Sequence, residues 1–443
     1  MGSEKAVVVG AGLAGCEAAW QLAQRGVCVE LIEMKPGTSS PAHQSADPAE
    51  LVCSNSLRGA SLSNAVGLLK EEMRRLDSLI LRVADETAVP AGNALAVDRV
   101  AFSKRVGELI ASHPKIEFRR EEVRAIPDDP WVILATGPLT AAPLAGELQK
   151  LLGEEHLSFY DAISPIIHAD SIDLDVVFRA SRYDDGEGDY LNVPLNREQY
   201  TEFVKDVVDA ETAPLHSFEK AKYFEGCLPI EVMAQRGLDT LAFGPMKPVG
   251  LIDPRTGKRS YAVIQLRQED REGLIYNMVG FQTKMKIPEQ QRIFRSLPGL
   301  KDAVFARYGT VHRNTYVNAP KCLTPQLEVR ARKGLYLAGQ MVGVEGYVES
   351  ASMGFIAGCN LSYGMRGEEP PEPSPVTAHG ALLRFLRESN PATFQPMNVN
   401  YGLFPGLDEA ARKKKKREKN ELRAARALEA LAIYQEEVGE QRV

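Results

Sequence analysis

No two of the six cysteines (16, 28, 53, 227, 322 and 359) have C-x-x-C spacing. That absence argues against a zinc ribbon and against a thioredoxin-like redox pair. The seven histidines show no ligand spacing either, so no metal site is expected. No apolar run is long enough to span a bilayer, and no internal repeat is present. The first apolar strand starts at Lys5, which leaves no room for a secretory leader. A soluble, cytoplasmic protein with reduced thiols is the expectation. A basic excess is also missing: 53 Lys and Arg face 59 Asp and Glu, for a net charge of −6. A uniformly basic nucleic-acid binder is disfavoured, whereas a local basic face is not.

What is present is concentrated near the start. Lys5-Ala6-Val7-Val8-Val9 precedes Gly10-Ala11-Gly12-Leu13-Ala14-Gly15, a helical pattern follows, and Val27–Ile32 leads to Glu33. The order is strand, glycine turn, helix, strand, acid, which is the context that turns a G-x-G-x-x-G into a dinucleotide signature. Gly10 permits the tight turn, Gly12 lets backbone amides reach a pyrophosphate at the helix N-terminus, and Gly15 lets helix and strand pack. Glu33 is placed to accept from a ribose hydroxyl.

At 443 residues the chain should hold two or three domains. Residues 1–165 read as α/β. A helix is expected from about Asn64, with Val66, Leu69, Met73, Leu76 and Ile80 on one face. Asn64 and Asp98 are candidate N-caps. Residues 166–304 read as an inserted α+β domain, with strands over Asp170–Phe178, Tyr261–Leu266 and Leu274–Phe281. In it, Arg267 to Gly273 is expected as a charged hairpin tip, and Asn196 opens a helix ending near Asp209. The α/β pattern returns over 305–369, and a Pro-rich linker with a helical, basic C-terminus fills 370–443.

The returning segment supplies a second nucleotide element. Gly334–Gly339 is a strand ending in glycine, Gln340–Tyr347 a glycine-rich loop, and Glu349–Met365 a helix of small residues. Ala135-Thr136-Gly137 ends a strand in between. Flavoproteins of the two-dinucleotide-fold type carry these elements in this order, so FAD is expected, held by the first turn with Gly339, Gln340, Gly346 and Tyr347. No second G-x-G-x-x-G exists, so a nicotinamide cofactor would have to visit the same cavity.

Further stretches narrow the reading. They are Glu50–Arg58 around Cys53, Phe224–Glu231 around Cys227, Asn277–Thr283, Gly309–Thr315, Leu337–Gln340 and Val344–Tyr347. Together they resemble the folate- and FAD-dependent tRNA (uracil-5-)-methyltransferases and, more distantly, the GidA-like flavoproteins that modify the wobble uridine. The resemblance runs from residue 5 to about 400. It implies an FAD-binding domain interrupted by an insertion, and conversion of the T-loop uridine (position 54 of tRNA) to 5-methyluridine. Carbon would come from 5,10-methylenetetrahydrofolate and electrons from NAD(P)H through FAD. It also implicates Cys53 and Cys227 in catalysis, and makes His312 the plane that sandwiches the pterin.

The chemistry accounts for these residue types. Uracil C5 is a poor nucleophile until a thiolate adds to C6, and a formaldehyde-level carbon needs two electrons to become a methyl group. Cys53 precedes a polar Ser-Asn-Ser turn and Arg58 leading toward a helix, surroundings that favour a thiolate. Which cysteine attacks stays open; the working assignment is Cys227 as nucleophile and Cys53 beside the flavin. Cys16, Cys28 and Cys359 read as packing; Cys322, after Lys321 near a loop, stays open, with packing favoured. The dense basic run Arg412–Arg426 and the insertion's Arg255, Lys258, Arg259, Lys284 and Lys286 are two candidate tRNA rims. Three alternatives stand: a general NAD(P)H flavin oxidoreductase, a GidA-like wobble-uridine enzyme, and a tRNA-binding chaperone that keeps FAD structurally. Oligomeric state and the base that takes the C5 proton are not legible.

Overall fold

A computed structural model of the chain describes residues 5–40, 42–153, 157–162, 164–182, 188–213 and 228–439, with 157–162, 311–314, Ala410 and Arg412 described in backbone only. Strand β1 (Lys5–Val9), helix α1 (Leu13–Gln24) and strand β2 (Cys28–Glu33) come first. There follow β3 (Ser56–Gly59), α2 (Ala65–Arg75), α3 (Leu79–Glu86), β4 (Ala88–Val89), β5 (Ala94–Val97), α4 (Arg99–Ser112), β6 (Ile116–Arg120), β7 (Val132–Leu134) and α5 (Ala142–Leu152). The middle of the chain holds β8 (Leu157–Ala162), β9 (Ile166–His168), β10 (Phe178–Arg179), β11 (Tyr190–Leu195), α6 (Arg197–Asp209), α7 (Ile230–Gln235), α8 (Thr240–Phe243), β12 (Ala262–Gln268), β13 (Ile275–Met278), α9 (Ile287–Arg295) and β14 (Phe305–Arg307). The last part holds β15 (Val311–Tyr316), α10 (Ala319–Cys322), β16 (Leu335–Leu337), α11 (Tyr347–Met365), α12 (Ala378–Glu388), α13 (Glu409–Arg412) and α14 (Lys416–Gly439).

Val7, Val8 and Val9 sit at the centre of a five-stranded parallel sheet, order β16-β7-β1-β2-β6. β16, β7 and Ala6–Val9 of β1 are apolar and buried, whereas the edge strand β6 turns Glu117, Arg119 and Arg120 to solvent. β16 pairs with β7, in register Leu335↔Val132 to Leu337↔Leu134, so a strand from the last third of the chain completes the first sheet. Helix α11 then lies on α1. A Cβ on Gly354 would meet the Ala14 carbonyl oxygen at 2.2 Å, and one on Gly358 the Ala18 oxygen at 2.8 Å. Small residues are needed there because two backbones touch.

A second, antiparallel-bonded sheet of six strands, β10-β11-β12-β13-β9-β14, packs its own core on α6, α7 and α9. The β8/β15 pair lies between the two sheets in sequence, with His312 opposite Asp161. Cys16, Cys322 and Cys359 are buried, and Cys28 is half-buried. Among the described residues no helix is long and apolar enough to cross a membrane.

Several expectations need correction. Asp170–Phe178 is not a strand: Ala169–Ser171 is a short 3-10 turn and only Phe178–Arg179 pairs. The helix expected from Asn64 through Ile80 is two helices, broken where Asp77 takes a left-handed φ of 57°. Asn64 occupies the N-cap position without capping, whereas Asp98 accepts from the Val100 and Ala101 amides and Asn196 forms a full capping box. The turn after Cys53 leads into strand β3, not a helix. Arg267–Glu269 is not a solvated tip; all three side chains are buried.

The α1–α11 contact is directly testable. Gly354→Val should lower the unfolding free energy by about 1–3 kcal/mol through overpacking, read from the urea midpoint. A parental midpoint would contradict this packing.

Candidate active site

The glycine turn, Ala135–Gly137, the loop after β16 and the Cys53 segment surround one cavity of about 480 Å³. Gly10, Gly12, Leu13, Ala14, Glu33, Ala135, Thr136, Gly137, Gly339, Gln340, Gly346 and Tyr347 all line it, together with Cys53. Ala11 and Gly15 are placed behind this wall. Gly15 faces the Gly10 oxygen, which a Cβ would meet at 1.7 Å, while a Cβ on Gly12 would meet nothing within 4 Å. The turn is therefore packed where it must be tight and open where a pyrophosphate would approach, at the N-terminus of α1. This open cradle fits a dinucleotide.

Glu33 is only partly available for a ribose. One carboxylate oxygen accepts from the Ala11 amide at 2.7 Å and the other from the Lys35 amide at 3.1 Å. Its first task is to close the turn. On the far side, Gln340 Nε2 donates to Glu345 at 2.5 Å, and Asn398 Nδ2 donates to the Glu345 carbonyl. The Thr315 amide donates to the Pro138 carbonyl at 2.9 Å, joining β15 to the Ala135–Gly137 turn.

Cys53 is held from across the chain. Its amide donates to the Tyr347 hydroxyl at 2.7 Å, and the Ser54 amide donates to the same oxygen at 3.2 Å. Burial and then the neighbouring cysteine hold the Tyr347 phenol well above its ordinary range, so it stays protonated. Cations flank the thiol's neighbours. Arg307 Nη1 donates to the Val52 carbonyl at 2.8 Å, and Arg267 donates to Ser54 Oγ at 2.6 Å and to Asn55 Oδ1 at 2.9 Å. Arg99 pairs with buried Glu269 at 2.5 Å. Burial works against the Arg99 charge, but Glu269 together with Tyr347 and Cys53 outweighs it; burial pushes Arg267 and Arg307 down. Glu269 faces Arg99 and Arg267, and Glu50, itself paired with Lys35, faces Arg307; the balance stays positive and favours an anion here.

Arg58 does not provide that field. It pairs with Glu349, fully buried in the first turn of α11, and Glu349 also accepts from the Val399 amide at 2.9 Å. Arg58 has a left-handed φ of 63°. Buried Lys70 stabilises that bend by donating to the carbonyls of Leu57, Arg58 and Gly59 at 2.9, 2.9 and 2.8 Å.

Cys227 lies outside the described residues, and so does the His312 side chain. Their neighbours are anchored. The Ile230 amide donates to the Gln282 carbonyl at 2.8 Å, and Gln282 lines the cavity. Buried Gln290 pins Gly309, just ahead of β15, through both its amide and its carbonyl, at 2.8 and 2.9 Å. Sequence reasoning missed Arg99, Arg267, Arg307, Glu269, Lys70 and Gln290. Alternation along β12 was the one signal available, since it would carry Arg267 inward. Among the described residues no cluster of His, Cys, Asp and Glu could hold a metal ion.

A family profile described as "Glucose inhibited division protein A" matches residues 5–369. A protein of Desulforudis audaxviator named methylenetetrahydrofolate–tRNA-(uracil-5-)-methyltransferase TrmFO is 56% identical over 434 residues, 98% of this chain and 99% of that protein. The identically named protein of Geobacter sulfurreducens is 57% identical over 411 residues, 93% and 94% of the two chains. The chain belongs to this methyltransferase family. Aquifex aeolicus GidA, in its form I crystal, shares the fold with a TM-score of 0.71 at 19% identity, over 98% of this chain and 76% of that one.

In this methyltransferase, burial first and the Arg58 guanidinium second push the Lys70 ammonium down to about 7, from an ordinary 10.5. Between those values the unfolded chain binds the extra proton, so stability rises with pH. The unfolding free energy of the parent relative to Lys70→Met should therefore grow from about pH 7 toward pH 10 in urea titrations. A flat or falling difference would contradict the assignment.

Proposed function

We propose that the chain methylates C5 of the T-loop uridine, position 54, of tRNA. FAD is the bound cofactor, 5,10-methylenetetrahydrofolate the carbon donor and NAD(P)H the reductant. The observation that carries this reading is the placement of Cys53 in the same cavity as the dinucleotide turn and the N-terminus of α11. The family membership agrees with it.

The Gly10–Gly15 turn and Glu33 would hold the adenosine and pyrophosphate end of FAD, with Ala135–Gly137, Gly339, Gln340, Gly346 and Tyr347 along the rest. When bound, FAD supplies the two electrons that bring a methylene carbon to the methyl level. The positive end of α11 favours negative charge in that part of the cavity. His312, on β15, is assigned to the pterin. Cys227 is assigned to attack on uracil C6, which makes C5 nucleophilic, and Cys53 to the flavin side, where Arg267, Arg307 and the Tyr347 hydroxyl hold its neighbours and its amide. No acid–base group is assigned to the C5 proton.

We divide the chain into FAD-binding parts at 1–165 and 305–369, an insertion at 166–304 and a linker with a helical basic end at 370–443, acting in the cytoplasm. Of the two candidate rims, the C-terminal one is split by packing. Lys413–Lys416 are exposed, whereas Arg426 donates to the carbonyls of Gly406 and Pro405.

Two measurements test the reading. Purified protein given tRNA transcript and labelled methylenetetrahydrofolate with NADPH should place label in 5-methyluridine at position 54; RNA free of label refutes the activity. With 5-fluorouridine tRNA, mass spectrometry should find a covalent adduct that survives Cys53→Ala and vanishes in Cys227→Ala. The opposite pattern reverses the two cysteine roles.

A further inference from the structure

The segment from Leu238 to Lys247, a lip on the second sheet, meets the cavity wall at Pro245. Gly280 lines the cavity, and a Cβ built on it would meet Pro245 Cβ at 2.7 Å. The Val263 amide donates to the Met246 carbonyl at 3.0 Å, which fastens the lip to β12. Two residues before Pro245 stands Phe243, the last residue of α8 and 82% exposed. Among the described residues it is the most exposed of the large hydrophobic side chains. A phenyl ring left in water two residues from the cavity wall has forgone the burial that aromatic rings ordinarily gain.

The surroundings are cationic. From Arg236 to Tyr261 the chain carries Arg236, Lys247, Arg255, Lys258 and Arg259 against only Asp239 and Asp253. Asp253 is taken by Arg255 at 2.9 Å, and Asp239 accepts from the Tyr261 hydroxyl at 3.1 Å. Lys247, Lys258 and Arg259 are exposed. A second copy of this chain would bring the same positive charges to the same place, whereas a polyanion would be attracted.

We propose that Phe243 is a stacking platform for an unpaired base of the substrate RNA, with Lys247, Lys258 and Arg259 on the phosphates of the same strand. The inference rests on the RNA reading above. A uridine that enters a cavity leaves its neighbour with an uncovered face, and a protein ring next to the entrance replaces the lost stacking. A phenyl ring has no polar atom with which to read base edges. It therefore selects an unstacked strand rather than a sequence, and the cavity is left to select uracil.

The test is binding of an unmodified T-arm hairpin to the full, FAD-loaded chain at about 0.1 M salt. Phe243→Ala should raise Kd about tenfold or more, and Phe243→Trp should stay within about twofold of the parent. RNA should also quench the added indole of the Trp variant, against the background of Trp20 and Trp131. Equal affinity in Phe243→Ala with an unquenched indole overturns the proposal. So does a change in oligomeric state at unchanged RNA affinity, which would make the lip a contact between copies. If Phe243→Ala does not take up FAD, Phe243→Leu replaces it and the Trp quenching decides. A parental chain that binds no hairpin defeats the functional reading itself; a parent that binds beside an equally tight Ala variant defeats only the stacking role.

Discussion

One oxygen atom joins the two halves of the site. The Tyr347 hydroxyl accepts the amides of Cys53 and Ser54, almost 300 residues earlier in the chain. Tyr347 is also the first residue of α11, the helix whose N-terminus borders the nucleotide cavity. Any shift of that helix relative to α1 therefore moves the cysteine loop. The glycines of α11 exist to prevent such a shift, because two helix backbones in direct contact leave no slack.

Charge follows the same logic. Burying three guanidinium groups costs free energy unless they find partners. Here Arg307 and Arg267 bond to backbone and side-chain oxygens on either side of Cys53, and Arg99 and Arg267 share one carboxylate, Glu269. The neutralised ion pair, Arg58 with Glu349, reaches the wall of the same cavity through Arg58, and Lys70 braces the Arg58 backbone. Unbalanced positive charge is thus concentrated at the thiol, and balanced charge is used for rigidity.

Much of this was legible in the sequence. Strand, glycine turn, helix and acid are adjacent along the chain, so their local spacing reports their geometry. The returning strand at Leu335–Leu337 was legible because a buried parallel strand is apolar throughout. The arginines around Cys53 were not. Arg99, Arg267 and Arg307 arrive from three separate elements, and a charged run such as Arg267–Glu269 looks solvated until the strand beneath it is known. The break at Asp77 was hidden because the apolar spacing continues across both helices. Glu33 stands at the tip of β2, as its spacing implied, but its bond to the Ala11 amide was not legible because it is made across the turn.

The central claim is that dinucleotide and Cys53 share one cavity. Peptide mapping by mass spectrometry after iodoacetamide treatment tests it most directly, comparing the rate of Cys53 alkylation in flavin-free and FAD-loaded protein. The account predicts marked protection of Cys53 by FAD. Alkylation at the same rate in both forms would contradict it.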